Sequence, residues 1–140
     1  MPFGYGSWPL LKQLWIDWSS GWAPPVEDLA RVQAAFSESS VLNAAVSYYR
    51  VHSEANEDRL DMARKALSQP ILVPVLGLVG TKDGCVKPSV FRASMVPALF
   101  TNTLDIVEFD RLGHFLHLQE PGKVSAKIVQ HLLRSERGTK

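Results

Sequence analysis

Two apolar runs, VPVLGLVG at 73–80 and LDIVEF at 104–109, constrain this chain more than any other feature. Both are short and rich in β-branched residues, and the first ends in glycine, which is the pattern of a strand covered on both faces. Between them KPSVFRASMVPALF supplies a short helix. After them a helix is expected from Pro121 to about Leu133, with Val124, Ile128 and Leu132 on one face. Strand, helix and strand imply parallel pairing through a right-handed crossover. Two parallel strands are too few to be stable alone, so the pattern reads as the edge of a larger sheet. No internal repeat extends it.

Upstream the period changes. From Leu10 to Leu67 the apolar residues follow helical spacing: Leu10, Leu11, Leu14, Trp15 and Trp18, then Val26, Leu29, Val32 and Phe36, then Val41, Leu42, Ala45, Val46 and Tyr49. The breaks SSGWAPP and SESS separate these helices; Pro25 suits a first helical turn, and Ser39 or Ser40 can cap. A fourth helix is expected from about Glu54 to Leu67, ending before Pro70. The chain thus divides into an all-helical part, 1–69, and an α/β part, 70–140.

Composition narrows the function classes. A chain of 140 residues, 46% hydrophobic and 21% charged, fits one globular domain, and its net charge of +1 is spread without a basic stretch. The run RSERGTK mixes signs and reads as a solvated tail, so nucleic acid is not an expected partner. The longest apolar run, ILVPVLGLVG, is about half of the ~20 residues that a membrane-spanning helix requires. A lone Cys85 forms no internal disulfide, and MPFGYGSWPLLKQLW lacks the basic, apolar and cleavage segments of a signal peptide. The cytoplasm is the default expectation, and no cofactor is implied.

Chemistry concentrates after the strands. The first strand runs into GTKDGCV and the second into EFDRLGHFLH, so Asp83 and His114 lie in loops at the carboxyl ends of adjacent parallel strands. A carboxylate beside an imidazole fixes its tautomer and stabilises the imidazolium that forms when the other nitrogen takes a proton.

VPVLGLVGTKDG followed by LDIVEFDRLGHFLHLQEP resembles the last two strands of the α/β-hydrolase fold. Upstream, LLKQLWIDWSSGWAP, DLARVQAAF and AAVSYYRV are similar to the later cap helices of epoxide hydrolase-like members. The resemblance covers nearly the whole chain. It implies that Asp83 is the triad acid, that His114 is the triad base, and that Tyr49 is the cap tyrosine donating a hydrogen bond to the opening epoxide oxygen. It implies hydrolysis of a small, mostly apolar substrate through a covalent intermediate, with ester or carbon–halogen hydrolysis on the same scaffold as the alternative.

One element of the family is missing. No GxSxG or GxDxG nucleophile elbow is present, and Ser7 of GYGSWPL lacks a preceding strand. The family's earlier strands, oxyanion loop, nucleophile and first cap tyrosine would precede Met1. The chain is therefore expected to match a C-terminal hydrolase portion that has no turnover by itself. Two kinds of association are expected, docking on a complementary N-terminal portion or self-association through an exposed sheet edge. A non-catalytic fragment is the reading from outside the enzyme class.

Each candidate also has an ordinary explanation. KDG is a good turn sequence in its own right, and His114 can be a loop histidine without a role. Tyr49 lies on an apolar stripe and can be core, with Tyr48 the alternate if the register shifts by one. HFLH has no third ligand cluster and no HExxH, so His117 is expected to pack or hydrogen-bond near the last helix rather than bind zinc. His52 and His131 are expected as surface or amphipathic residues of helices, Trp15, Trp18 and Trp22 in packing or lining an apolar pocket, and Cys85 as a small buried residue.

Overall fold

The computed structural model describes residues 8–19, 21–54 and 57–137. These contain seven α-helices, a two-stranded parallel sheet and one 3-10 turn, a mixed α/β architecture. Ser7 lies outside the described residues, as does the side chain of His52.

The chain forms two compact units, whose described residues are 8–12, 24–54 and 57–69 in the first, and 13–19, 21–23 and 70–137 in the second. The division falls inside α1, Pro9–Trp18.

In the first unit α2, Val26–Ser37, starts one residue after the expected place for its proline, because Pro25 is the N-cap at φ −55° and ψ 137°. Glu27 and Asp28 occupy its first turn, where carboxylates meet the positive end of the helix dipole. α3, Ser39–Glu54, takes both serines into its first turn, which corrects the expectation that one of them caps it: Glu38 stands before the helix, its carbonyl accepting the Leu42 N–H at 3.1 Å, and the Ser40 hydroxyl donates to the Glu38 carboxylate at 3.3 Å. It packs against α2. Glu54 closes α3, which corrects the expectation that it opens the fourth helix; α4 spans Glu57–Leu67, with Glu57 and Asp58 first and Arg64 and Lys65 last. It ends before Pro70, as expected.

In the second unit β1, Val75–Gly80, pairs in parallel with β2, Leu104–Phe109, from Val75↔Leu104 to Gly80↔Phe109. The first strand starts two residues later than its apolar run because Pro74 has no N–H for the ladder. Between the strands lie α5, Pro88–Ser94, with its proline in the first turn, and a 3-10 turn at Pro97–Leu99. Phe91 of α5 packs on the strand at Gly77, where a Cβ would sit 3.0 Å from its ring.

After β2 come a short helix α6, Leu116–Gln119, and α7, Pro121–Arg137, which runs about one turn beyond the expected end. The core joins Phe109, Leu116 and Val124, with Leu78, Val107 and Leu112 against them. Of the expected α7 face, only Val124 is buried; Ile128 and Leu132 are exposed. Cover of the strands is also partial, since Ile106 and Glu108 of β2 are exposed. Of the two places expected for His131, the surface or the boundary of an amphipathic helix, the structure shows the second: its side chain is 13% exposed and its Nδ1 lies 3.7 Å from Asp105. No helix among the described residues is long and apolar enough to cross a membrane.

Candidate active site

Strand β1 delivers the acid. Just past Gly80 the chain turns, and Asp83 Oδ1 accepts the backbone N–H groups of Cys85 and Val86, both at 2.8 Å. The turn reading of KDG and the acid reading are therefore compatible, since the same carboxylate organises its own loop. Its side chain is only 7% exposed. A carboxylate this enclosed, already accepting two N–H groups, is held in one orientation.

Strand β2 delivers the imidazole. Gly80 is followed by Thr81, whose N–H donates to Phe109 at 2.9 Å, and Lys82 N–H donates to the Leu112 carbonyl at 2.8 Å. These bonds carry the register of the sheet beyond its last residues, so the two loops leave side by side. The base loop turns sharply at Arg111, the sole non-glycine residue with positive φ among those described, at 60°. Left-handed backbone is unfavourable for an arginine, and the Arg111 N–H donates to Thr81 Oγ1 at 2.8 Å to hold it there. Gly80 is required at this crossing, because a Cβ would lie 2.2 Å from the Leu112 oxygen.

The outcome is a hydrogen-bonded pair. His114 Nδ1 is 3.0 Å from Asp83 Oδ2 and 3.3 Å from Oδ1. A carboxylate in its ionised form only accepts, so against it this contact requires the tautomer with hydrogen on Nδ1, the N–H donating to Asp83. Nε2 is left with the lone pair and can take a proton from water or a hydroxyl. The His114 side chain is 31% exposed. Within the second unit the fold thus joins two residues 31 positions apart.

The remaining candidates are carried by helices. Tyr49 is carried by α3 in the first unit, 69% exposed, its ring edge-on to that of Tyr48 at 5.7 Å. The core alternative for Tyr49 is thereby corrected: along its stripe Leu42 and Val46 are half-buried, whereas Val41, Ala45 and Tyr49 itself are exposed. Tyr48 is likewise exposed. His117 lies on α6, exposed, with its ring 6.5 Å from that of Phe115. Among the described residues no group of three or more His, Cys, Asp or Glu could hold a metal ion.

Cys85 is exposed rather than buried, because the turn that Asp83 caps projects it outward. What burial its thiol has, and secondarily the Asp83 carboxylate, push its pKa up. That direction opposes thiolate formation, so its chemistry is not that of an activated nucleophile.

Of the tryptophans, Trp15 is buried, with its ring 4.5 Å from Phe115 and 6.4 Å from Trp22, while Trp18 lies edge-on to the His114 ring at 5.2 Å. Sequence reasoning missed Ser19, which is fully buried and whose Oγ accepts the Phe115 N–H at 3.3 Å. No local signal marks it, since its partner is 96 positions away.

Comparison of the chain with protein-family models, with curated proteins and with solved structures finds no match.

Proposed function

We propose that Asp83 and His114 are the acid and base of a hydrolytic centre of the α/β-hydrolase kind, epoxide hydrolase-like, acting on a small and mostly apolar substrate. The observation that carries the reading is the 3.0 Å bond between His114 Nδ1 and Asp83 Oδ2, at the carboxyl ends of two adjacent parallel strands. That is where open α/β sheets place reactive groups. The resemblance of both motifs to the last two strands of the α/β-hydrolase fold supplies the reaction type.

The reaction has two stages. A carboxylate nucleophile attacks an epoxide carbon, the carbon–oxygen bond breaks, and the resulting alkoxide takes a proton, for which Tyr49 is the proposed donor. Water then attacks the carbonyl of the covalent ester while His114 Nε2 accepts its proton, and Asp83 stabilises the imidazolium. The diol leaves, the carboxylate is restored, and the proton held on His114 returns through solvent to the tyrosinate left by the first stage, which closes the cycle. General-base assistance of this kind contributes ~10²- to 10⁴-fold. It cannot replace the nucleophile, and the 140 residues contain no nucleophile elbow. The chain is therefore proposed to act with a complementary hydrolase portion that carries a strand, an elbow and a helix. The outer edges of its two-stranded sheet, unpaired among the described residues, favour such docking.

The test has two arms. The purified 140 residues are expected to show no hydrolysis of styrene oxide, a p-nitrophenyl ester or a chloroalkane. A longer reading frame that adds an elbow should hydrolyse the epoxide, and its His114→Ala form should stop at the covalent ester, seen as a mass increase. Preference for the nitrophenyl ester or the chloroalkane would move the assignment to an esterase or a dehalogenase. Turnover by the 140 residues that His114→Ala abolishes would overturn the need for an outside nucleophile.

A further inference from the structure

The acid and base loops are tied to each other and also to a third segment, distant in sequence. The carbonyl of Trp18 accepts two N–H groups: that of Gly84, next to the acid, at 3.1 Å, and that of His114 itself at 2.9 Å. Ser19 forms an antiparallel bridge with Asp83, is 0% exposed, and accepts the Phe115 N–H on its hydroxyl. One dipeptide therefore holds the backbone on both sides of the pair.

Close approach of this segment depends on two missing side chains. A Cβ on Gly84 would lie 2.1 Å from the Asp17 oxygen, and one on Gly113 would lie 2.4 Å from Ser19 Cα. Both clashes involve backbone, which cannot swing aside. The rings complete the arrangement: Trp18 and Phe115 each stand edge-on to the His114 imidazole with centroids 5.2 Å away, at interplanar angles of 72° and 83°. Edge-to-face contacts from two neighbours restrict rotation of the imidazole about its side-chain bonds.

We propose that Trp18 and Ser19 are positioning residues for His114, bracing the acid and base loops so that the imidazole keeps Nδ1 on Asp83 and presents Nε2. This role rests on the reading of Asp83 and His114 as an acid and a base. Trp18 acts through its carbonyl and its ring, and Ser19 through its hydroxyl and its bridge. Neither is assigned contact with a reacting atom.

Proton and nitrogen NMR of the histidine rings in the full chain tests the role, with the His114 signals identified by their loss in His114→Gln. Trp18→Ala and Ser19→Ala are expected to speed exchange of the Nδ1 proton with water by roughly tenfold, the scale of one lost aromatic or hydrogen-bond contact. Trp18→Phe should restore most of the protection. Trp22→Ala, which removes an equal ring stacked on Trp15, should lower the Tm without changing that exchange. If Trp18→Ala does not fold, Trp18→Leu gives the same readout, since it keeps apolar volume and loses the aromatic edge.

Unchanged exchange in the Trp18 variants, or an equal rise in Trp22→Ala, overturns the positioning role alone. Absence of an Nδ1 proton bonded to Asp83 in the unsubstituted chain overturns the acid–base reading, and the brace with it.

Discussion

The two units of this chain use their apolar residues differently. In the second, Trp15, Val79, Phe109, Leu116 and Val124 are buried together with Ser19. In the first, between Pro24 and Gln69, no described side chain is buried, and Val26, Tyr48, Tyr49, Met62 and Leu67 are each more than two-thirds exposed. Yet both carry regular apolar patterns. An amphipathic stripe shows which side of a helix wants cover, but not whether cover is present. Close packing is found where the loops of Asp83 and His114 leave the sheet, with Gly80, Gly84 and Gly113 against neighbouring backbone.

The largest predicted effect comes from Gly113→Ala. Its Cβ would displace the Ser19 backbone, an overpacking cost of at least ~1–3 kcal/mol, and should lower the Tm by on the order of 10 °C. Thermal melting followed by circular dichroism measures it. A Tm within a degree or two of the parent's would break the claim that packing is close at the pair.

Next is a matched pair of truncations. Val79 is 2% exposed and Val26 80% exposed. Val79→Ala should cost about 2 kcal/mol in urea unfolding, whereas Val26→Ala should stay within about 0.5 kcal/mol. Equal costs would erase the distinction between the units.

Much of this contrast could be read before the structure, and some could not. The strands were legible because a continuous β-branched run has few alternatives, although Pro74 trims the first of them for a reason local to its missing N–H. Asp83 and His114 were legible because parallel strands place the loops at their carboxyl ends side by side. Trp18 and Ser19 were not, since the same helical period describes a tryptophan in solvent, in a core or against a histidine. Tyr49 shows the converse, a position on an apolar stripe that the fold leaves exposed. The exposure of Cys85 was hidden for a third reason: it follows from which N–H groups the Asp83 carboxylate accepts.

A smaller change has the opposite sign. Gly122 lies in the first turn of α7 and a Cβ there would meet nothing within 4 Å. Gly122→Ala should therefore stabilise the chain by ~0.5–1 kcal/mol, mostly by restricting the unfolded state. Set beside Gly113→Ala, the same substitution separates a glycine needed for close approach from one that is not.

The smallest effect concerns Cys85, whose thiol is pushed up first by its burial and then by Asp83. Alkylation of the folded chain should reach half its maximal rate at a higher pH than alkylation of the unfolded chain. Because the fold favours the protonated thiol, its contribution to stability is lost as pH rises from the ordinary thiol value through the raised one. Asp83→Asn removes the second cause and should lower the midpoint. A midpoint that rises would contradict the assigned electrostatics.

The central claim, that Asp83 holds the proton of His114 on Nδ1 and leaves Nε2 to act as a base, is tested most directly by nitrogen NMR of the His114 ring. The chemical shifts and one-bond couplings of the neutral imidazole should report a protonated Nδ1 and a bare Nε2. Asp83→Ala should abolish that preference while His117 and His131 keep theirs. A proton on Nε2 in the unsubstituted chain, or a tautomer indifferent to Asp83→Ala, would contradict the account.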